Sequence, residues 1–306
     1  MKEIFEGDKR VTKKVLKAYD MALARFAQRP DVTGVDVGFK YCGGRRLARV
    51  VIRIHVREKF LKAHLSKRER IPATINGVAT DVIQATYVDA ACFEPARATA
   101  LDPFQPGVSI GRADGGTGTI GLIVIDNVTG DESILSCRHI LAAGSSPRPG
   151  DPILQPGPAD GGTAANQVAA LTRVDTPTDS AIARLTKQRA HTPAQFGSGV
   201  TVSGSRYPRL GDVLEKSSRT TGVQRGVVDG IGAFEGLKFS FHIVPAGAEG
   251  ACQISEPGDS GSVWYDPGTK KAVGLHAKGE PSGSGLQDYA IATSAKKIAV
   301  LLNIKV

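Results

Sequence analysis

The residues of this sequence best suited to nucleophilic chemistry are a serine, a histidine and an aspartate that lie far apart along the chain. Ser260 lies in the motif Glu-Pro-Gly-Asp-Ser-Gly-Ser at 256–262, which runs directly into an apolar strand. A serine hydroxyl attacks only when a base removes its proton, and the oxyanion that forms needs fixed donors. Glycines on both sides of Asp259-Ser260 let the backbone turn tightly enough to aim the amides of Gly258 and Ser260 at one point. The motif predicts a nucleophile, Ser260, and an oxyanion hole, although an ordinary surface turn can have the same sequence.

Two further segments supply a base and a carboxylate. An apolar run from Ile134 leads into His139, which opens a helical turn, and Asp179 stands immediately before the strand candidate Ser180–Leu185. A carboxylate in that place can accept the Nδ1 hydrogen of the histidine and leave Nε2 facing the serine. Asp175 is the alternative carboxylate, but it precedes Thr-Pro-Thr instead of a strand. We therefore predict His139 as general base and Asp179 as the residue that orients it.

The order His, Asp, Ser and the sequences around these residues resemble trypsin-like serine peptidases from about Val108 to the C-terminus. Residues 216–222 and 226–228 are also similar to the first hairpin of the second barrel in intracellular bacterial and plant members, including the narrow-leaf type. The resemblance implies two antiparallel six-stranded β-barrels of chymotrypsin type, with His139, Asp179 and Ser260 in the cleft between them. It implies a serine endopeptidase that forms an acyl-enzyme and needs no cofactor.

The resemblance also implies a substrate pocket. Ile254, six residues before the nucleophile, would form its base, and Glu256, His276 and Lys278 would lie on its walls. Because Ile254 cannot pair with a Lys or Arg side chain, small or apolar residues are expected before the scissile bond. Acidic residues, bound through His276 and Lys278, are the alternative. No basic residue precedes the segment at Val108 where cleavage activates secreted relatives, so activation by cleavage is not expected.

The composition predicts a mainly β fold, because 36 glycines, 17 prolines and 6% aromatic residues suit many short strands. A helix over about Asp8–Gln28, strands at 32–41 and 47–58 and a hairpin at 71–87 predict a small α+β module over residues 1–88. Residues 89–107 form a linker, and residues 108–306 form the peptidase domain, with barrels at about 108–200 and 206–293 and a C-terminal helix over 294–303. The strand candidates after the linker are Thr119–Ile125, Glu132–Cys137, Asn166–Val174, Ser180–Leu185, Asp212–Lys216, Gly222–Ile231, Lys238–Val244, Ser262–Tyr265, Ala272–His276 and Asp288–Ala292.

The net charge of +9 belongs to the N-terminal module. Residues 1–70 hold 19 Lys and Arg against 8 Asp and Glu, whereas residues 71–306 hold 20 against 22. A basic face predicts an acidic protein partner or, less favoured, nucleic acid. The residues expected on this face are Lys13, Lys14, Lys17, Arg45, Arg46 and Arg49. Two functions therefore stand beside the peptidase: a protease-fold scaffold that binds protein partners, and a nucleic-acid-binding protein led by the basic module.

The remaining features indicate a reducing compartment and no metal site. Four cysteines are widely separated without a Cys-x-x-Cys pair, which favours free thiols over a disulfide framework or a zinc cage; they are Cys42, Cys92, Cys137 and Cys252. The other histidines, His55, His64, His191 and His242, lie in strand or loop contexts and are expected to be structural. The N-terminus lacks the pattern of a secretory signal, and no apolar stretch has the length of a membrane span. We expect a cytoplasmic protein acting on protein or peptide substrates.

Overall fold

The computed structural model describes residues 2–5, 8–42, 45–60, 65–66, 69–85, 95–144, 146–246, 253–279 and 288–306. In these ranges the α-helices are α1 (Lys13–Phe26), α2 (Arg138–Leu141) and α3 (Ala295–Leu301). The strands are β1 (Val32–Cys42), β2 (Arg45–Val56), β3 (Thr74–Ile75), β4 (Val78–Gln84), β5 (Ser109–Arg112), β6 (Thr117–Thr119), β7 (Leu122–Asp126), β8 (Glu132–Cys137), β9 (Pro152–Leu154), β10 (Gln167–Asp175), β11 (Ser180–Leu185), β12 (Val213–Ser218), β13 (Gly222–Phe234), β14 (Leu237–Pro245), β15 (Val263–Tyr265), β16 (Ala272–Gly279), β17 (Ala290–Ser294) and β18 (Ile304–Lys305).

Strands β12 to β17 form a closed antiparallel barrel of six strands. Their order is β12, β15, β16, β17, β14, β13, and the ring closes because β12 pairs with β13 as well as with β15. Large apolar side chains such as Phe241, Ile243 and Trp264 are buried in this part of the molecule. The closed barrel gives the strands that flank Ser260 a fixed register.

Strands β5 to β11, together with β18, form the second sheet, in which the order of neighbouring strands is β18, β7, β8, β11, β10, β9, β5, β6. The chain passes directly from β6, which pairs with β5 at one edge of the sheet, to β7, which pairs with β8 near the other edge. At the bend, Ile120 donates its N–H to Val108 O and Gly121 donates its N–H to Leu135 O, both at 2.9 Å. The sheet therefore curls into a half-barrel bent at 120–121, instead of the second strand-paired ring expected from the sequence.

The N-terminal helix and strands pack onto the closed barrel. Helix α1 begins after Thr12, whose Oγ1 accepts the N–H of Val15 at 3.4 Å, and its buried side includes Tyr19 and Phe26. Strand β1 pairs with β2 on one edge and with β13 on the other, where Val35 lies opposite Ala233. The sheet of residues 32–84 is thus continuous with the closed barrel.

A buried ion cluster lies at this junction. Arg53 of β2 donates from Nε to Asp36 Oδ1 at 2.8 Å and from Nη2 to Asp36 Oδ2 at 2.5 Å. Its Nη1 donates to Asp229 of β13, and Arg53, Asp36 and Asp229 are completely buried. His55 Nε2 lies 3.5 Å from Asp36 Oδ2, and the rings of His55 and His242 are 5.8 Å apart. A guanidinium shared by two carboxylates joins the N-terminal strands to the barrel.

The predicted basic face is partly engaged within the molecule. Lys13, Lys14, Lys17 and Arg49 are exposed, whereas the Arg46 guanidinium lies over the Phe39 ring and 3.9 Å from Asp229. The side chain of Arg45 lies outside the described residues.

Cys42 and Cys137 are free thiols, exposed and buried respectively, while Cys92, Cys252 and His64 lie outside the described residues. His191 Nε2 lies 3.4 Å from Glu132 Oε1. Within the described ranges, no helix is long and apolar enough to cross a membrane.

Replacing Arg53 with methionine should lower the free energy of unfolding by about 3–5 kcal/mol, because Asp36 and Asp229 would remain buried without the guanidinium that they share. Chemical denaturation measures the change. Arg49→Met, at an exposed position of the same strand, is the matched control and should leave stability unchanged. Equal stability of the two variants would contradict a structural role for the ion cluster.

Candidate active site

His139 is held at the end of a strand of the half-barrel. Strand β8 ends at Cys137, the chain turns into α2, and Arg138 donates its N–H to Asp179 O at 2.9 Å. Cys137 of β8 lies opposite Ser180 of β11. His139 comes two residues after Cys137, and Asp179 comes directly before Ser180, so His139 and Asp179 are neighbours. An antiparallel register thus unites two residues that are 40 positions apart.

The Asp179 carboxylate binds both the backbone and the ring of His139. Asp179 Oδ1 accepts the His139 N–H at 3.0 Å, and Oδ2 lies 2.5 Å from Nδ1. The backbone of Asp179 is in the left-handed region with φ of 50°, a conformation that costs a non-glycine residue energy and that clusters at functional sites. In the tautomer that donates Nδ1–H to Asp179, the lone pair of the His139 ring is on Nε2. The alternative carboxylate, Asp175, accepts instead from the backbone and hydroxyl of Thr178.

Ser260 lies in a tight loop whose glycines cannot be replaced. Gly258 and Gly261 both have φ of 95°, which favours glycine. A Cβ on Gly258 would lie 2.4 Å from Thr220 Oγ1, and one on Gly261 would lie 2.0 Å from Ser136 Oγ. The Ser260 hydroxyl donates to Ala277 O at 3.4 Å, and no hydrogen bond joins it to His139.

The backbone amides of this loop divide into two groups. The N–H groups of Asp259, Gly261 and Ser262 donate to Glu256 O, His276 O and Asp259 O at 2.9–3.0 Å. The N–H groups of Gly258 and Ser260 have no acceptor among the described residues. Two donors beside a serine hydroxyl are the arrangement that stabilises an oxyanion.

A buried lysine fixes this loop. Lys216 Nζ lies 2.5 Å from Asp259 Oδ2, and both side chains are fully buried. Nζ also donates to Ser218 Oγ and Thr221 Oγ1, at 2.9 and 2.8 Å. The carboxylate accepts in addition from the backbone N–H groups of Thr220, Thr221 and Glu256 and from Thr221 Oγ1. Every donor of the ammonium is used, so the charges are compensated as buried charges require.

The ionisation of this pair follows from its burial. Burial lowers the pKa of Lys216, and the Asp259 carboxylate opposes that effect in part. Burial raises the pKa of Asp259, but the Lys216 ammonium and the hydrogen bonds outweigh it, so this pKa is lowered. Asp259 is therefore an anion and Lys216 its counterion. No role was predicted for Lys216 from the sequence, where the available signal was a lysine inside a strand, close to Ser-Ser and Thr-Thr.

Thr119 ties the nucleophile loop to the half-barrel. Its N–H donates to Ser260 O at 2.8 Å, and its Oγ1 donates to Gly258 O at 2.6 Å. The same Oγ1 accepts the Arg219 N–H at 2.9 Å. One residue of β6 thus positions the backbone on both sides of Asp259.

The four predicted pocket residues occupy different environments. Ile254 is buried in the core and donates its N–H to Asp288 Oδ2 at 2.7 Å. Glu256 is buried beside the loop, and Lys278 is half-buried on β16. His276 accepts from Trp264 Nε1 at Nδ1, at 3.2 Å, so Nε2 carries its hydrogen and points to Ser255 Oγ at 2.9 Å. Burial and the Lys216 ammonium lower the pKa of His276 to about 3, so this ring is neutral.

One group in the described part of the chain combines donors that suit a metal ion. The ligand atoms of Cys137, His139 and Asp179 lie within 4.8 Å of one another. Burial raises the pKa of the Cys137 thiol well above its usual range, and His139 and Asp179 are hydrogen-bonded to each other. These contacts favour a shared proton over a cation.

No protein-family model matches the chain, and no curated protein matches it. Similar solved structures include Protease A of Thermobifida fusca, with 16% identity over 66% of this chain and 97% of that one, at a TM-score of 0.48. A glutamic acid specific serine protease described as using a histidine triad in substrate binding has 18% identity over 66% and 99%, at 0.48. The chymotrypsin of Cellulomonas bogoriensis has 16% identity over 66% and 98%, at 0.44.

These neighbours are serine proteases of the trypsin and chymotrypsin type. The predicted mainly β fold class with a C-terminal helix is confirmed, with one closed six-stranded barrel and one half-barrel sheet. Nothing supports the narrower resemblance to intracellular bacterial and plant members.

Replacing Lys216 with methionine should lower the free energy of unfolding by about 3–5 kcal/mol, because Asp259 would remain as an unpaired buried charge. The double variant Lys216→Met/Asp259→Asn removes that charge and should regain part of the loss. Chemical denaturation of the parent, both variants and the exposed control Lys271→Met measures this. A double variant less stable than Lys216→Met would contradict the assignment.

Proposed function

We propose that this chain is a serine endopeptidase that hydrolyses peptide bonds through an acyl-enzyme on Ser260. The observation that carries the proposal is the nucleophile loop, in which the Gly258 and Ser260 N–H groups have no acceptor among the described residues while their neighbours are bonded. The contact between His139 Nδ1 and Asp179 supports a base whose Nε2 is free to take a proton.

The proposed reaction has two steps. His139 Nε2 removes the Ser260 proton as Oγ attacks the peptide carbonyl, and Asp179 stabilises the imidazolium. The Gly258 and Ser260 amides bind the oxyanion of the tetrahedral intermediate. His139 then gives its proton to the leaving amine as the peptide C–N bond breaks. In the second step His139 takes a proton from water as the oxygen of that water attacks the acyl carbonyl, and it returns the proton to the Ser260 oxygen as the bond between Oγ and the acyl group breaks.

Before the first step, the Ser260 hydroxyl must turn from Ala277 O towards His139. The bond to Ala277 is long, at 3.4 Å, and hydrogen bonds of catalytic groups are often formed only once substrate binds. The same observation favours a second candidate function, a protease-fold scaffold that binds protein partners without turnover.

We also propose a cytoplasmic location, which the free thiols of Cys42 and Cys137 support.

The N-terminal lysines are a separate proposal within this function. Lys13, Lys14 and Lys17 are exposed on α1, and no carboxylate among the described residues pairs with them. This supports an acidic protein surface as a partner of α1.

A fluorophosphonate probe should label Ser260 covalently, because the base and the oxyanion donors activate the hydroxyl. Ser260→Ala should abolish labelling and peptide turnover, and His139→Ala should reduce both by at least about 10³-fold. Mass spectrometry of the labelled protein identifies the modified residue. Ser262→Ala, a buried hydroxyl two residues away, is the matched control and should keep the label. A folded parent protein that does not label would favour the scaffold.

For specificity, we expect small or apolar side chains before the scissile bond. His276 is neutral and gives its Nε2–H to Ser255, which weakens the acidic alternative. A Cβ on Gly279 would lie 1.9 Å from Ser255 Oγ, so the end of β16 closely approaches the segment that precedes the nucleophile loop. Sequencing the products from a denatured proteome tests this. A dominant Lys or Arg preference would contradict both versions, and an acidic preference that survives His276→Ala would exclude that histidine.

A further inference from the structure

Residues 256–259, at the start of the nucleophile loop, form a type II β-turn. Asp259 donates its N–H to Glu256 O at 2.9 Å, and Gly258 has φ of 95°. A proline at the second position and a positive φ at the third are the features of this type. A type I turn keeps the same hydrogen bond between its ends, but its central peptide is turned over by about 180°. The two forms of this turn would therefore differ in the peptide between Pro257 and Gly258.

The orientation of this peptide determines whether Gly258 can donate to an oxyanion. In a trans peptide the C=O and N–H groups point in opposite directions. Turning the peptide over would move the Gly258 N–H out of the site and put Pro257 O in its place. Gly258 does not resist this change, because glycine adopts positive and negative φ about equally well. The turn alone therefore does not fix the donor.

The contact that holds Pro257 O comes from Thr220, in the connection between β12 and β13. Thr220 Oγ1 lies 2.6 Å from Pro257 O, and Arg219 Nη1 lies 3.0 Å from the same hydroxyl. A carbonyl only accepts hydrogen bonds and a guanidinium only donates them. The hydroxyl of Thr220 therefore accepts from Arg219 and gives its one hydrogen to Pro257 O.

The guanidinium of Arg219 is held in turn by the half-barrel. Its Nε donates to Asp160 Oδ2 at 3.0 Å, and its Nη2 donates to Oδ1 of the same carboxylate. Asp160 is the last residue of the 3-10 helix Pro158–Asp160, and it also accepts from Ser109 Oγ of β5 at 2.6 Å. A bidentate pair of this kind fixes the orientation of the guanidinium. The Thr220 hydroxyl is therefore oriented by residues of both sheets.

We propose that Thr220 is a positioning residue of the oxyanion hole. Its hydroxyl, oriented by Arg219, binds Pro257 O and keeps the turn in the form that presents the Gly258 N–H to the substrate. The inference rests on the proposed function, in which this amide binds the oxyanion. Both side chains lie directly against the glycine, because a Cβ on Gly258 would be 2.4 Å from Thr220 Oγ1 and 2.9 Å from Arg219 Cδ.

The test compares Thr220→Val, which keeps the shape of the side chain without the hydroxyl, with Thr220→Ser, which keeps the hydroxyl. We expect the Val variant to lose between about 10-fold and 10³-fold in the rate constant of fluorophosphonate labelling, because one missing oxyanion donor costs about 10²–10³-fold. The Ser variant should keep most of the parent rate. In turnover assays the Val variant should lose kcat with KM unchanged, since the bond to the oxyanion is absent from the ground state.

A control variant removes a different buried hydroxyl. The Thr293 hydroxyl has no hydrogen-bond partner among the described residues, and Thr293→Val should leave the labelling rate unchanged. Thermal unfolding checks that each variant is folded, and Thr220→Ala replaces the Val variant if valine prevents folding. Equal labelling rates in the Ser and Val variants would overturn the proposal.

A second readout does not depend on activity. Labelling with carbonyl-¹³C proline and ¹⁵N glycine restricts the NMR spectrum to the five Pro-Gly peptides, which begin at Pro106, Pro149, Pro156, Pro257 and Pro267. The Pro257 signal is assigned by its absence in Pro257→Ala. We expect it to move in the Val variant, because its carbonyl loses a hydrogen bond, and to stay in place in the Ser variant. The other four signals are internal controls and should not move.

A Pro257 signal that does not move in the Val variant would also overturn the proposal. If the parent protein does not label with the fluorophosphonate, the proposed function fails. The Pro257 signal still decides in that case whether Thr220 holds the peptide.

Discussion

The ion pair between Lys216 and Asp259 is the contact on which the geometry of the nucleophile loop depends. Asp259 lies between Gly258 and Ser260, so the direction of its side chain fixes the peptide planes on both sides. Asp259 turns inward to the Lys216 ammonium, and the N–H groups of Gly258 and Ser260 have no acceptor among the described residues. Desolvating two charges is costly, and the pair is tolerable because neighbouring hydroxyls and backbone amides complete its hydrogen bonds.

The second constraint is the position of the half-barrel relative to the closed barrel, because each contributes part of the candidate site. His139 and Asp179 belong to the half-barrel, whereas Ser260 belongs to the loop between β14 and β15 of the closed barrel. Thr119 sets their relation, because it binds the backbone of Ser260 and Gly258 with its own amide and hydroxyl. The close approach of Gly261 to Ser136 brings β8, the strand that leads to His139, against the same loop.

The sequence indicated those parts of the site that are encoded locally. The predicted strands Glu132–Cys137 and Ser180–Leu185 have the observed bounds, since apolar runs next to turn residues determine them. The role of Lys216 could not be predicted in this way, because its partner, Asp259, lies 43 residues further along the chain. The sequence around a lysine does not distinguish a buried side chain from one that is exposed to solvent. The pairing of β1 with β13 was also missed. Arg53 and Asp229 are 176 residues apart, and no local pattern reports a contact of that range.

The position of Lys216 in the barrel links formation of the site to folding. Lys216 is a residue of β12, the strand that closes the barrel by pairing with both β13 and β15. The counterion of Asp259 is therefore a side chain of the sheet, and Lys216 comes to lie beside Asp259 when the barrel closes. Strand β13 in turn carries Asp229, which binds Arg53 of the N-terminal strands. A displacement of β13 would disturb both buried ion pairs, so the N-terminal strands and the nucleophile loop depend on the same element of the barrel.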